Sequence, residues 1–530
     1  MASNTSDNLA KFTVVELRNI LKNHGYFTSG TKDILIQRIL ENITNIVLPI
    51  KSQKLSSTNA STGSSLEDIV NQMLDLKQRS ASYKNSIQRL IDNNNNTLYV
   101  RSRSIDFKEF SILVDALMLN TSVTSLNISK VSMPFRAAML IKKVMLTDRF
   151  VSLSISDVSI TRSSNWLKGV NSGIEVSTRL STLSLRDNRI PFRIIAKLVP
   201  SLLTITTLTS LDLSNNISSV NYDDIINNML INNKLDSLYL SSNDLKREYV
   251  DMYCNIFNST TLKTLDLSGN ISYDNSMFMC REKILNDGHT PMIYVYSKKI
   301  QKFNDGHRAI IDGIRRNTSI ESLNMSKNIV GKDFIMRLCD AVAVSKNITW
   351  LNISNITGSC DDDASDVSNS IANLIKSNVI QYLDISNNEL GSLKDIANAL
   401  EHNTSLQQLY MRNNKCTDVE HVFKSLSKNN HLMNLGLAGT YVGHIGIVLA
   451  DVMRCNQSLK YIDLSSTHLD IDAIQAIIGG LVQNGSMTLM NLSDNPLIEN
   501  NVINMVEHLL LRNKINIETK NKQLWAILDI

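Results

Sequence analysis

The sequence predicts an α/β solenoid, a curved row of short parallel strands on the concave face with helices on the convex face, preceded by a small all-helical module. Three observations carry this. First, from Leu98 onward a core of three spaced aliphatic residues recurs, its middle member falling at Leu98, Leu126, Leu153, Leu183, Leu211, Leu238, Leu265, Ile293, Leu323, Leu351, Leu383, Leu409, Leu435, Ile462 and Met490, spaced by 26 to 32 residues and 28 on average. Second, the segments between these cores read as helices, as in DDIINNMLINN (223–233) and GHRAIIDGIRRN (306–317). Third, residues 12–42 carry an unrelated two-helix pattern and are followed by a Ser-rich tract.

The front module spans 1–44. Thr13 and Glu16 form a capping box, Leu17, Ile20 and Leu21 give the first helix an apolar stripe, and Gly25 ends it. A second helix begins at Thr31, where Ile34, Leu35, Ile39 and Leu40 can pack on the first while Lys32 and Arg38 stay in solvent. Val15-Glu16-Leu17-Arg18, Leu21-Lys22, Gly25, Ser29-Gly30-Thr31-Lys32 and Leu35-Ile36-Gln37-Arg38-Ile39-Leu40 together resemble the SAP domain, a helix-extended-loop-helix module. The resemblance implies binding of double-stranded DNA, AT-rich or non-specific, with little base readout.

Elementary chemistry points the same way. Gly30 lets the backbone approach closely, the amides after Thr31 present the positive end of a helix, and Lys32 adds a charge beside them. Arg18 and Lys22, four apart, can reach neighbouring phosphates, with Arg38 a further contact. The competing reading gives these helices a capping or protein-docking role.

Residues 45–64 are polar and Ser-rich, which reads as a flexible tether. Residues 65–97 follow, with Leu66, Ile69, Val70, Met73 and Leu76 at helical spacing, and read as a helical cap on the first coil. A short coiled coil would need three or four clean heptads, which are missing.

Residues 98–497 are the repeats. Each core has strand periodicity, strand alternates with helix, and a unit of this length cannot bury its own apolar side, so stacked units must share one core. Five residues after the aligned aliphatic residue stands Asn188, Asn216, Asn243, Asn270, Asn328, Asn388, Asn414 or Asn495, with Thr at 440 and 467. An amide there can serve the backbone of adjacent coils. TLTSLDLSNN (207–216) and TLKTLDLSGN (261–270) resemble the leucine-rich repeat of the ribonuclease-inhibitor-like class, which implies a horseshoe. The pattern departs at Val131, Val158, Lys298 and Ile356, which replace the Asn, and around Ile293, flanked by Pro291 and Tyr294. The insertion Cys360-Asp-Asp-Asp-Ala-Ser-Asp366 reads as a solvated loop leading into a helix rather than a cation site. Residues 498–530 read as the C-terminal cap.

Residues flanking the aligned position must point out of the sheet. The row just after it contains Asp212, Asp266, Asp384 and Asp463, and the row two further on is mostly Ser, interrupted by Arg186, Tyr296 and Arg412. This faintly acidic face is a poor cradle for nucleic acid. Its aromatic residues, Tyr239, Tyr294, Trp350, Tyr382, Tyr410 and Tyr461, are candidate anchors for a protein partner; ordinary strand preference for Tyr is the rival account.

Composition narrows the function classes. With 54 basic and 50 acidic residues the net charge of +4 cannot by itself argue for a polyanion partner, so any nucleic-acid reading must be local. No run of about 18 apolar residues and no secretory signal is present, which points to an intracellular protein without a membrane partner. The six cysteines form no CxxC or Cys/His knuckle, and Cys254, Cys280, Cys339 and Cys455 read as buried helix residues. Triplets such as Asn120-Thr-Ser and Asn317-Thr-Ser read as products of an Asn- and Ser-rich composition. Phosphate-loop, GxSxG, HExxH and dinucleotide motifs are missing, so no catalytic site, cofactor, metal or small-molecule substrate is expected.

The expected function is a non-enzymatic nuclear adaptor, DNA at the front module and protein on the solenoid. The alternatives are a pure protein-interaction protein and a GTPase-activating protein of the Ran-activator type, for which Arg186 and Arg189 are the available turn residues. A sensing receptor would need a phosphate loop.

Overall fold

The computed structural model describes residues 96–527 apart from 102–106, 132–134, 159–165, 191, 217–229, 231–234, 246–249, 272–304 and 357–364. The chain divides at Gly63/Ser64 into two units, and the description concerns the second. The expected module at 1–44, the tether at 45–64, nearly all of the cap at 65–97 and most of the 360–366 insertion lie outside the described residues.

Among the described residues fourteen strands form one parallel sheet in which every strand pairs with its neighbours in the series. They are β1 (Thr97–Arg101), β2 (Ser125–Ser129), β3 (Ser152–Ser156), β4 (Thr182–Ser184), β5 (Ser210–Asp212), β6 (Ser237–Tyr239) and β7 (Thr264–Asp266). Then follow β8 (Ser322–Asn324), β9 (Trp350–Asn352), β10 (Tyr382–Asp384), β11 (Gln408–Tyr410), β12 (Asn434–Gly436), β13 (Tyr461–Asp463) and β14 (Leu489–Asn491). The register sets the aligned aliphatic residues directly opposite one another, as Leu98 faces Leu126 and Ile462 faces Met490. The fourteen on the described strands are buried, so a single hydrophobic column runs the length of the sheet. Helices follow strands and pack on one another in the same order. This is a leucine-rich repeat solenoid, the α/β architecture the periodicity predicts.

One expected repeat is not in the ladder. β7 pairs directly with β8, Leu265 opposite Leu323, so the strand expected at Ile293 does not intervene between them. Residues 272–304 lie outside the described residues, but the bonding of the described coils shows what a strand there would lack. In neighbouring coils the residue two before the aligned position donates its N–H to the preceding coil, as Glu321 does to the Lys263 carbonyl at 2.8 Å and Thr349 to Glu321 at 2.9 Å. Pro291 holds that position before Ile293, and proline has no N–H to give. Across the gap the join is tight. Asn270 N–H donates to Asn328 Oδ1 at 2.8 Å, Asn317 Nδ2 donates to the Phe257 carbonyl at 2.8 Å, and a Cβ on Gly313 would lie 2.6 Å from Phe257 Cβ.

Each strand from β2 to β14 leaves through a left-handed residue four places after the aligned one: Lys130, Asp157, Asp187, Asn215, Ser242, Gly269, Lys327, Asn355, Asn387, Asn413, Gly439, Ser466 and Asp494. Gly, Asn and Asp tolerate that conformation best, which is why SNN and SGN spellings recur here. The turn delivers the next residue inward. Asn243 Nδ2 donates to the carbonyls of Leu213 and Leu240, its Oδ1 accepts from Asn216 N–H at 2.7 Å, and its own N–H reaches Asn270 Oδ1. Where the Asn is replaced, Val131, Val158 and Ile356 are buried instead, and the N–H groups of Val158 and Ile356 still find Asn188 and Asn388.

A second amide ladder runs along the helix ends and takes in the Asn120 and Asn317 triplets that composition alone would explain. Asn120, Asn317, Asn403, Asn429, Asn456 and Asn484, each six residues before an aligned position, are buried. Asn456 is representative: its Oδ1 accepts from Ser458 and Leu459 N–H, and its Nδ2 donates to the Leu426 and Asn429 carbonyls of the previous coil. Asn484 repeats this on Met453 and Asn456. After β14 the helix Asn500–Ile527 closes the series, with Arg512 guanidinium nitrogens on the carbonyls of Leu481, Val482 and Asn484.

Among the cysteines, Cys339 and Cys416 are buried and Cys254 is half-buried, but Cys455 is exposed, against expectation. Cys455 lies at the last position of its helix, Gly446–Cys455, past the turn that packs inward.

Candidate functional site

The aromatic residues expected to anchor a partner are not spread evenly; three of them form one contact chain on β9 to β11. Trp350 and Tyr382 occupy paired register positions, and their rings stack with centroids 4.5 Å apart and planes 14° from parallel. Tyr410, opposite Asp384 on the next strand, brings its ring to 5.4 Å from that of Tyr382 at a 44° tilt. Arg412 then folds its guanidinium 5.0 Å above the Tyr410 ring and reaches Asp463 on β13, Nη2 to Oδ2 at 3.1 Å.

Asp463 is buried and fully engaged. Besides Arg412 it accepts from Asn491 Nδ2 at 3.0 Å and from Ser465 N–H and Oγ at 3.2 and 2.8 Å. To reach it, Arg412 must pass over β12, where Gly436 faces Tyr410 on one side and Asp463 on the other. A Cβ at Gly436 would lie 2.5 Å from Tyr410 Cδ1 and 3.2 Å from Arg412 Nε, so only glycine leaves room for the crossing.

The rings sit half-buried in the sheet surface, and this shows in their phenols. Burial first, then the Asp384 carboxylate, pushes the Tyr382 hydroxyl up to about 12, with Arg412 opposing. Burial and then Asp463 raise the Tyr461 phenol in the same direction.

Of the six predicted anchors, Trp350, Tyr382 and Tyr410 therefore touch in series, and Tyr461 lies on β13 beside Asp463. Tyr239 stands apart on β6, between Asp212 and Asp266 in register, and Tyr294 lies outside the described residues. The predicted DNA contacts Arg18, Lys22, Gly30, Thr31, Lys32 and Arg38 also lie outside them. Arg186 pairs with its neighbour Asp187 at 3.1 Å, and Arg189 occupies a left-handed position in the same turn. Sequence reasoning did not assign Arg412, Asp463 or Gly436 to the site. The available signal was an Arg in a row made mostly of Ser, followed one repeat later by a Gly in the row that elsewhere carries Asp, Asn and Tyr.

Among the described residues no cluster of His, Cys, Asp and Glu could hold a metal ion, and no helix is long and apolar enough to cross a membrane.

Comparison with known proteins adds the front of the chain. The SAP domain family matches residues 8–44. No curated protein matches the chain. Among solved structures, leiomodin-1 actin-binding site 2 is similar at 15% identity over 30% of this chain and 95% of that one, with a TM-score of 0.27. The structure of the Rad7 and Elc1 complex in yeast is similar at 16% identity over 73% of this chain and 88% of that one, with a TM-score of 0.38.

Proposed function

We propose that this protein is a non-enzymatic adaptor that holds duplex DNA through its SAP domain and presents the concave face of its repeats to a protein partner. The SAP domain points to nucleic acid and the repeat fold to a protein. The observation that carries the combined reading is that one chain joins a SAP match at 8–44 to a sheet bearing a half-exposed Trp350, Tyr382, Tyr410 and Arg412 array.

In this reading DNA contact is made by phosphate-directed groups, Lys32 and the amides after Thr31 first, with Arg18, Lys22 and Arg38 beside them. The front forty-three residues carry Lys11, Arg18, Lys22, Lys32 and Arg38 against Asp7, Glu16, Asp33 and Glu41, so affinity is modest, salt-sensitive and weakly dependent on sequence. Tethering then raises the concentration of the partner near DNA. The location that goes with this is nuclear.

The test compares duplex binding by the full chain, the chain lacking 1–44 and the Lys32→Glu variant across a salt series. Loss in both altered proteins supports the adaptor. Undiminished binding by both overturns its DNA half.

A further inference from the structure

Among the described residues, the carboxylates on the concave face of β5 to β10 have no cationic partner. From β5 to β10 the outward rows on either side of the aligned residue carry Asp212, Asp266 and Asp384 and no Lys or Arg; Lys263 and Lys327 stand outside these rows, at the strand ends. Asp212 accepts from Ser184 Oγ at 3.1 Å and Ser214 N–H at 2.9 Å, Asp266 from Ser268 N–H at 2.9 Å, and Asp384 from Ser386 N–H at 3.0 Å. Among the described residues these partners are neutral. Arg412, the cation nearest the rings, is already committed to Asp463 and the Tyr410 ring.

Interleaved with these carboxylates are Tyr239, Trp350 and Tyr382. Ring faces are electron-rich and attract cations, and a carboxylate beside a ring adds to that attraction. An acidic or nucleic-acid partner would meet three carboxylates that no described cation offsets, whereas a cationic one meets complementary charge and an aromatic ring face.

We infer that the partner segment is an extended, lysine- or arginine-bearing stretch of polypeptide lying across β5 to β10, its cationic side chains meeting the Asp212, Asp266 and Asp384 carboxylates and the outer face of the Trp350 ring, the face turned away from its stack with Tyr382. Five strand spacings of about 4.8 Å put Asp212 and Asp384 roughly 24 Å apart, which about seven extended residues span. The inference rests on the reading of this face as a protein-binding surface and adds the chemistry of what binds.

The experiment pans a displayed library of random twelve-residue peptides, about that length to cover the span, against the full chain, with counter-selection on the Trp350→Ala variant. The expected result is an enriched set rich in Lys or Arg. A synthetic peptide from that set should bind the Asp384→Asn variant roughly tenfold more weakly and with a shallower salt dependence, the worth of one partly desolvated charge contact. An enriched set that is neutral or acidic, yet still lost in Trp350→Ala, overturns the cationic assignment and leaves the protein-binding face standing. Peptides that bind wild type and Trp350→Ala alike, or no enrichment at all, overturn both. Equal urea midpoints for wild type and Asp384→Asn confirm that a lost affinity is not lost folding.

Discussion

Arg412 and Asp463 meet across an intervening strand, the guanidinium leaving the turn after β11 and closing on the carboxylate of β13 at 3.1 Å. The carboxylate side is nearly inaccessible to water while the arginine is part-exposed, so the pair is asymmetric. Removing Arg412 leaves a buried charge with only neutral donors. Arg412→Ala should therefore destabilise by about 1–3 kcal/mol in urea unfolding, and the Arg412→Ala, Asp463→Asn double variant should recover part of that loss.

Gly436 is required by space rather than by backbone conformation. A Gly436→Ala methyl must push Tyr410 and Arg412 off β12, a strain of about 1–3 kcal/mol. The check is a lowered urea midpoint together with a changed Tyr410 environment in near-ultraviolet circular dichroism. Gly331, where an added methyl would meet nothing within 4 Å, should accept alanine with little loss.

Both amide ladders sit in the core, so each supplies buried groups that water cannot reach. Asn243→Ala takes the acceptor from the Asn216 N–H and one of two amide donors from each of the Leu213 and Leu240 carbonyls, and Asn484→Ala strands the Met453 carbonyl together with the N–H groups of Ser486 and Met487. Each should cost about 1–3 kcal/mol or more, and the two, far apart in the solenoid, should add. Thermal unfolding of the single and double variants measures this.

The direct pairing of β7 with β8 makes residues 272–304 dispensable to the ladder. Replacing them with a Gly/Ser linker of about six residues should preserve the circular dichroism spectrum and shift the melting temperature little. A deletion of the same size centred on Leu351 would remove β9 and should prevent folding.

Tyr382 carries the clearest pH signature. Its folded value, about 12, lies above the ordinary 10.0, so its contribution to stability is complete below pH 10.0 and is lost as pH rises through about 12. Wild type should therefore lose stability relative to Tyr382→Phe over that window, and the absorbance titration of the phenols should lose its latest component in the variant.

Much of this was legible from the chain. Leu at a 28-residue spacing fixes the strand centres because each must fill one layer of a shared core, and Asn five places on betrays the turn because an amide alone can serve two coils. At Ile293 the aliphatic spacing survives while the flanks, Pro291 and Tyr294, already depart from the pattern; what the inter-coil bonding adds is that Pro291 lacks the N–H that neighbouring coils donate from that position. The second ladder hid inside a common triplet, and the Arg412 crossing depends on a partner two repeats away, a separation no local pattern encodes. The tyrosines were visible individually; that Trp350, Tyr382 and Tyr410 touch follows from register and a diagonal step.

Thr440 stands where the first ladder calls for Asn. Its hydroxyl reaches the Met411 carbonyl at 3.2 Å, one side-chain tie between the coils of β11 and β12 where an Asn both donates and accepts, and its own amide turns back to Leu437 instead of reaching the next coil. Under tension applied to the two ends, the spring should begin to open at seams such as that of Ile356, whose apolar side chain offers no bond to the preceding coil, while the Arg412 bridge stitches the coils of β11 and β13 across the Thr440 seam.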